Sequence, residues 1–210
     1  MPDAVLPVAM GIAMGLVLAA CAGLRAFLPL LALGVAARAG VLHLAPELRW
    51  VASDAALVVL GSALFFEVVA DKVPALDHVL DAIGLVVRPV AGGLAAVIPF
   101  LSSGPDGSMF TTLSGHAGGA APWLAAGAGV LAGGAVTALV HMARAGLRIA
   151  STMLTGGLAN PLLSLIEDGV SLTTVALALV LPVLALAVAL LATMALATWL
   201  RRWRSRARSL

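Results

Sequence analysis

The chain has 210 residues, of which 62% are hydrophobic and only 10% charged, and its mean hydropathy is +1.12. A soluble domain of this composition would have too few polar residues to cover its surface, which excludes an ordinary soluble fold and points to an integral membrane protein. The formal net charge of +2 comes from the tail: five of the twelve basic residues stand in RRWRSRARSL (201–210), leaving seven basic against ten acidic residues in the body. That tail reads as a cytoplasmic flank obeying the positive-inside rule and meeting anionic lipid, rather than as a nucleic-acid patch.

Residues 5–24 are an uncharged run long enough to cross the hydrocarbon layer. They contain the sole cysteine, Cys21, so no disulfide forms within the chain. LAAC resembles a lipoprotein cleavage box, but MPDAV lacks the basic n-region of a leader, so 1–24 read as a retained first helix. Arg25 interrupts the run, and AFLPLLALGVAA (26–37) continues it with Pro29 inside, as one kinked helix or as a helix followed by a half-helix. Residues 39–54 read as an interfacial loop with Trp50 at headgroup level.

A second helix is expected over about 55–70, and it spans only if Glu67 lies in the membrane or at its edge. Pro74 marks a turn, and a third helix runs from near Leu76 to Leu101. The Gly/Ser-rich stretch 102–121, with SGHAGG around His116, is the longest loop. A fourth helix starts near Pro122 and runs to His141, Arg144 and Arg148. The next segment, IASTMLTGGLANPLLSLI, reads as a broken or re-entrant piece because of Gly156, Gly157, Asn160 and Pro161. After Glu167 and Asp168, residues 172–199 form the expected last span.

The tetrapeptide AGLR occurs at 22–25 and again at 145–148. With the tail inside, the first copy runs outward and the second inward. Each is followed by a broken stretch, an acidic cluster and a final apolar helix. That is the pattern of a three-plus-three inverted repeat, over 5–101 and 122–200, although identical tetrapeptides arise easily by chance in so Ala-, Gly- and Leu-rich a chain.

Charged residues inside apolar segments are the candidate site. Arg25 should face the bundle interior and be paired. Glu67 and Asp71 share a helix face at i,i+4, as do Asp77 and Asp81, with Arg88 seven beyond Asp81. Carboxylates in this pattern relay protons or ligate hard cations, or they pair structurally at a solvated turn. The solvated reading is preferred for Asp71, Lys72 and Asp77, and a buried ion-pair role for Glu67, Asp81 and Arg88. His141, Arg144 and Arg148 form one helical stripe suited to binding an anion or pairing with Glu167 and Asp168, while Arg144 alone is explained by snorkelling to headgroups. Gly11/Gly15, Gly129/Gly133 and Gly92/Gly93 point to close helix packing or oligomerisation. No phosphate-binding loop, dinucleotide fingerprint, HExxH or CxxC motif occurs.

GLRAFLPLLALGVAAR, FFEVVADKVPALDHVLD, RPVAGG, HMARAGLR and NPLLSLIEDGV, in this order, resemble the bacterial membrane-protein family known as domain-of-unknown-function family 4126. The resemblance covers roughly 8–200 and implies a multi-pass inner-membrane protein. It carries no activity and no functional residues. TMLTGG departs from the more polar, proline-containing link expected before LANPLLSL.

The expectation is therefore an all-α polytopic bundle of five or six membrane segments, a single domain over 1–200 with a cytoplasmic tail at 201–210. The expected function is a small transporter or channel for an ion or small polar solute in the bacterial inner membrane. The path residues are Arg25, Glu67, Asp71, Asp81, Arg88, His141, Arg148, Asn160, Glu167 and Asp168, with no cofactor, metal, nucleic acid or catalytic role. The rival is a non-transporting protein that binds lipid or scaffolds a partner or homo-oligomer through its Gly-rich faces.

Overall fold

A computed structural model describes residues 2–72, 74–104, 107–108 and 121–207. The loop residue His116 and the side chains of Asp77, His78 and Asp81 lie outside the described part. The architecture is helical. In chain order come α1 (Pro2–Leu24), α2 (Leu28–Arg38), a 3-10 helix (Pro46–Ala52), α3 (Asp54–Ala70), α4 (Pro74–Leu101), α5 (Ala121–Thr155), α6 (Asn160–Val180) and α7 (Pro182–Ala207). The strand pairing among the described residues is a two-residue ladder, Ser103–Gly104 against Gly107–Ser108.

Among the described residues three helical stretches are long and apolar enough to cross a membrane: Ala82–Leu101, Trp123–Thr155 and Asn160–Val180. A fourth results if Pro46–Ala52 and Asp54–Ala70, bent by 55°, form one span. The five or six segments expected from sequence are thus met only in part. The described apolar portions of α1 (Ala9–Leu24) and α7 (Pro182–Leu191) fall in a shorter class.

Local chemistry sets the helix ends. Ser53 caps α3 by accepting from the Ala56 amide at 3.2 Å. Pro29 and Pro161 stand in the first turns of α2 and α6, where a missing N–H is harmless. Between α5 and α6, Gly156 and Gly157 take φ of +64° and +87°, a region that side chains disfavour. The expected broken segment is therefore a tight turn joining two long helices. The expected last span, 172–199, is corrected. Leu181 leaves helical geometry (φ −136°, ψ 69°) ahead of Pro182, so Glu167 and Asp168 lie inside α6 and a separate helix follows. Residues 46–52, expected as loop, form the 3-10 helix, which buries Leu48 and Val51 and leaves Trp50 exposed.

α1 is the central helix, packed on α4, α5, α6 and α7. Its contacts depend on small residues, as lipid-embedded helices require in the absence of a hydrophobic driving force between them. A Cβ on Gly23 would sit 2.6 Å from Val140 Cβ, and one on Gly93 2.8 Å from the Val130 carbonyl. At the same level the Thr137 hydroxyl of α5 donates to the Ala19 carbonyl of α1 at 2.6 Å. α3 differs from the rest. It packs chiefly on α2, the 3-10 helix and α4, and of its residues only Glu67 is buried.

Candidate functional site: a buried arginine–carboxylate cluster

α1 ends at Leu24 and α2 begins at Leu28, so the chain is not helical at Arg25–Phe27. A break inside an apolar layer leaves carbonyls and amides that water cannot reach, and protein groups must satisfy them. Arg88 of α4 does so for the carbonyls, donating through Nη1 to Gly23 O at 3.1 Å and Leu24 O at 2.6 Å. Glu67 of α3 does so for an amide, accepting from Ala26 N at 3.0 Å through Oε1. The same Oε1 lies 2.9 Å from Arg88 Nη2. One buried ion pair thus ties the ends of two helices together.

The break also turns Arg25 inward, where it is 1% exposed. Its Nη1 donates to Asp71 Oδ2, the residue that closes α3. Its Nη2 reaches α6, donating to Ser164 Oγ at 3.0 Å and pairing with Asp168 Oδ1. From α5, Arg144 Nη2 and Arg148 Nη2 approach the same Asp71 oxygen at 2.7 and 3.2 Å. Both also bind Glu167 Oε2, Arg144 through Nε at 2.9 Å and Arg148 through Nη2 at 2.8 Å. Three guanidiniums therefore converge on one carboxylate oxygen, and two of them share a second carboxylate. At the rim Lys72 Nζ meets Asp168 Oδ2 at 3.2 Å, where both side chains are partly exposed. A cavity of about 260 Å³ lies between α2, α3 and α6, lined by Arg25, Leu64, Val68 and Asp168.

Isolated charges at this depth would be prohibitive, and mutual pairing is what makes the cluster tolerable. Arg25, Asp71, Arg148, Glu167 and Asp168, proposed from sequence, come together in it. Glu67 and Arg88 form the neighbouring pair. His141 is buried near Gly84. Asn160 donates to Thr152 Oγ1 at 3.0 Å, one turn beyond Arg148, and makes no ion pair. The Asp81 side chain lies outside the described residues.

Two sequence readings change. Asp71, assigned to a solvated turn, is 3% exposed and sits at the centre of the cluster. Arg144, assigned to headgroup snorkelling, is 2% exposed and binds both Asp71 and Glu167. The i,i+4 spacing of Arg144 and Arg148 was the available signal, since both must share a face. Ser164, a ligand of Arg25, carried no signal of its own. Among the described residues no three His, Cys, Asp or Glu side chains are grouped to hold a metal ion.

The family model described as a domain of unknown function (DUF4126) matches residues 12–202. No curated protein and no solved structure matches the chain.

Proposed function

The chain belongs to the DUF4126 family, and because that description assigns no activity, we propose from the cluster itself that the protein is a small transporter or channel. Its cargo is an ion or small polar solute, and the arginine triad best suits a small anion. The carrying observation is that Arg25, Arg144 and Arg148 all close on Asp71 Oδ2.

Asp71 occupies the place that an anion would take. It belongs to the end of α3, of whose residues only Glu67 is buried. When the α3 end withdraws, three guanidiniums lose a shared partner, one of them, Arg25, lining the cavity beside Asp168, and a small anion can replace the carboxylate. Arg144 and Arg148 keep Glu167 throughout. Each therefore exchanges one partner rather than losing all, which limits the desolvation cost of the step.

Broken helices meeting at a charged site are a recurring feature of transporters, and they support this reading. Here the break is the one at Arg25–Phe27, beside the first AGLR copy. The proposed topology treats α1, the bent 46–70 pair, α4, α5, α6 and α7 as membrane segments with α2 as a shorter return, and it drops the inverted repeat: Ala19 meets Thr137 and Gly23 meets Val140, so α1 and α5 run parallel where an inverted repeat sets them antiparallel. The basic tail then lies in the cytoplasm, with the protein in the bacterial inner membrane.

The test is flux into liposomes holding the purified protein, read with a pH dye and a panel of anions and cations. Wild type is compared with Arg25→Gln and Glu67→Gln. Anion flux lost in a folded Arg25→Gln variant supports the proposal. No flux for any ion, with both variants merely less stable, transfers the assignment to the lipid-binding or scaffolding alternative.

A further inference from the structure

A second cavity lies on the other flank of α3. It has a volume of about 260 Å³ and sits between α3 and α4. Its walls are apolar, formed by Phe27, Ala63, Phe66, Ile83 and Val87. Phe66 and Ile83 are 68% and 53% exposed, so the cavity opens sideways, toward the lipid side of a membrane-embedded bundle. Among the described residues its ionic lining is Glu67 and Arg88.

These two side chains are almost fully buried, yet each keeps an unused polar atom. Glu67 Oε1 serves Ala26 N and Arg88, whereas Oε2 has no hydrogen-bond partner. Arg88 spends Nη1 and Nη2 on Gly23, Leu24 and Glu67, whereas Nε has no partner. A buried acceptor or donor left unmade costs about 1–3 kcal/mol. Two of them, one acceptor and one donor, on residues lining one apolar cavity call for a neutral group that both gives and takes a hydrogen bond.

We propose that this cavity binds the hydroxyl head of a neutral membrane lipid, a long-chain or glyceryl alcohol, entering from the bilayer between α3 and α4. Both atoms have less than 1 Å² of accessible surface, so the head enters by a small shift of the cavity wall, then donates to Glu67 Oε2 and accepts from Arg88 Nε–H. A carboxylate or phosphate head would face Glu67, and an ammonium head would face Arg88, so each charged class meets one like charge at short range. The volume falls just below the roughly 300 Å³ at which drug-sized pockets begin. It suits a head and its first methylenes, with the remaining chain left in the bilayer. The site is separate from the Asp71 cluster, and its occupancy does not depend on transport.

The test is photo-crosslinking of the full-length protein in phospholipid nanodiscs. Four probes share one diazirine-bearing alkyl chain and end in a hydroxyl, a carboxylate, a trimethylammonium or a methyl group. Labelled peptides are mapped by mass spectrometry. The expected result is labelling beside Phe66 and Ile83 by the hydroxyl probe, about tenfold above the methyl probe, and competed by unlabelled hexadecanol. Ala63→Trp, which fills the cavity without touching the ion pair, should abolish it. Ile83→Trp narrows the mouth from a lipid-facing position and should lower labelling even if Ala63→Trp fails to fold. Equal labelling by the methyl probe, stronger labelling by either charged probe, or labelling that persists in a folded tryptophan variant overturns the proposal.

Discussion

Arg25 and Arg148, the arginines that end the two AGLR tetrapeptides, donate to the same oxygen, Asp71 Oδ2. They come from opposite halves of the chain and from different helix contexts. Arg25 lies in the break after α1, and Arg148 lies within α5. Asp71 is thus the common counter-charge of both halves. Removing it should be worse than removing either arginine, because it breaks three ion pairs at once and leaves three guanidiniums to share Glu167 and Asp168, whereas loss of one arginine leaves Asp71 two others.

Asp71→Asn is therefore expected to destabilise the protein by about 3–5 kcal/mol, the usual cost of leaving buried charges uncompensated. Arg148→Gln should cost less. Because the two residues touch, the double variant should fall short of the summed losses by at least about 1 kcal/mol. Unfolding free energies measured in mixed micelles for the four members of the cycle decide this. Strict additivity would mean that the Asp71–Arg148 contact contributes nothing.

The glycines of the same tetrapeptides should behave oppositely. A methyl at Gly23 would meet Val140 Cβ at 2.6 Å and the Thr137 carbonyl at 2.8 Å, and neither can retreat easily because they belong to a packed helix. A methyl at Gly146 meets nothing within 4 Å. Gly23→Ala is expected to lose about 1–3 kcal/mol through overpacking. Gly146→Ala should be neutral or gain up to about 1 kcal/mol from helix propensity. Melting temperatures of the two single variants, in the same detergent, separate the cases.

Much of the helical frame was legible from apolar runs and breakers. Asp54–Ala70 and Pro74–Leu101 follow the expected spans closely, and Pro29, Gly156 and Pro161 mark real breaks. The missed break before Pro182 shows the limit of reading by hydropathy, since the flanking residues are equally apolar. The candidate site was legible residue by residue but not as an assembly. Asp71 follows three apolar residues and precedes Lys72, a pattern that fits a solvated turn just as well. Its burial is decided by Arg25, Arg144 and Arg148, which lie 46, 73 and 77 positions away. Single-helix periodicity relates residues a few turns apart and carries no information at that range.

Exposure grades the ion pairs. Lys72 and Asp168 meet at the rim with 37% and 26% of their side chains exposed, so solvent and salt screen them. Lys72→Ala should change stability by no more than about 1 kcal/mol, and that small effect should vanish at high ionic strength. Arg144→Gln removes contacts to the buried Asp71 and the partly buried Glu167 and should cost about 3–5 kcal/mol at either salt concentration. Denaturation of both variants at low and at molar salt checks the contrast. A large, salt-insensitive loss for Lys72→Ala would contradict the rim assignment.

The Glu67–Arg88 pair makes the sharpest prediction, because its two members satisfy different parts of one helix break. Glu67→Gln keeps a carbonyl oxygen able to accept from Ala26 N, so the amide stays satisfied and only the charge pairing is lost. Arg88→Met removes both donors to Gly23 O and Leu24 O and strands a buried carboxylate as well. The expected order of damage is Arg88→Met well above Glu67→Gln, by about 2 kcal/mol or more given the cost of each unmade buried bond. Glu67→Leu should lie between them, since it frees the Ala26 amide and leaves Arg88 unpaired but still bonded to the two carbonyls. Amide hydrogen exchange adds a local readout: Ala26 should exchange faster in Glu67→Leu and remain protected in Glu67→Gln. If the order is reversed, with Glu67→Gln the most damaging, the pair is chiefly electrostatic and the α1–α2 break is held by something other than these two side chains.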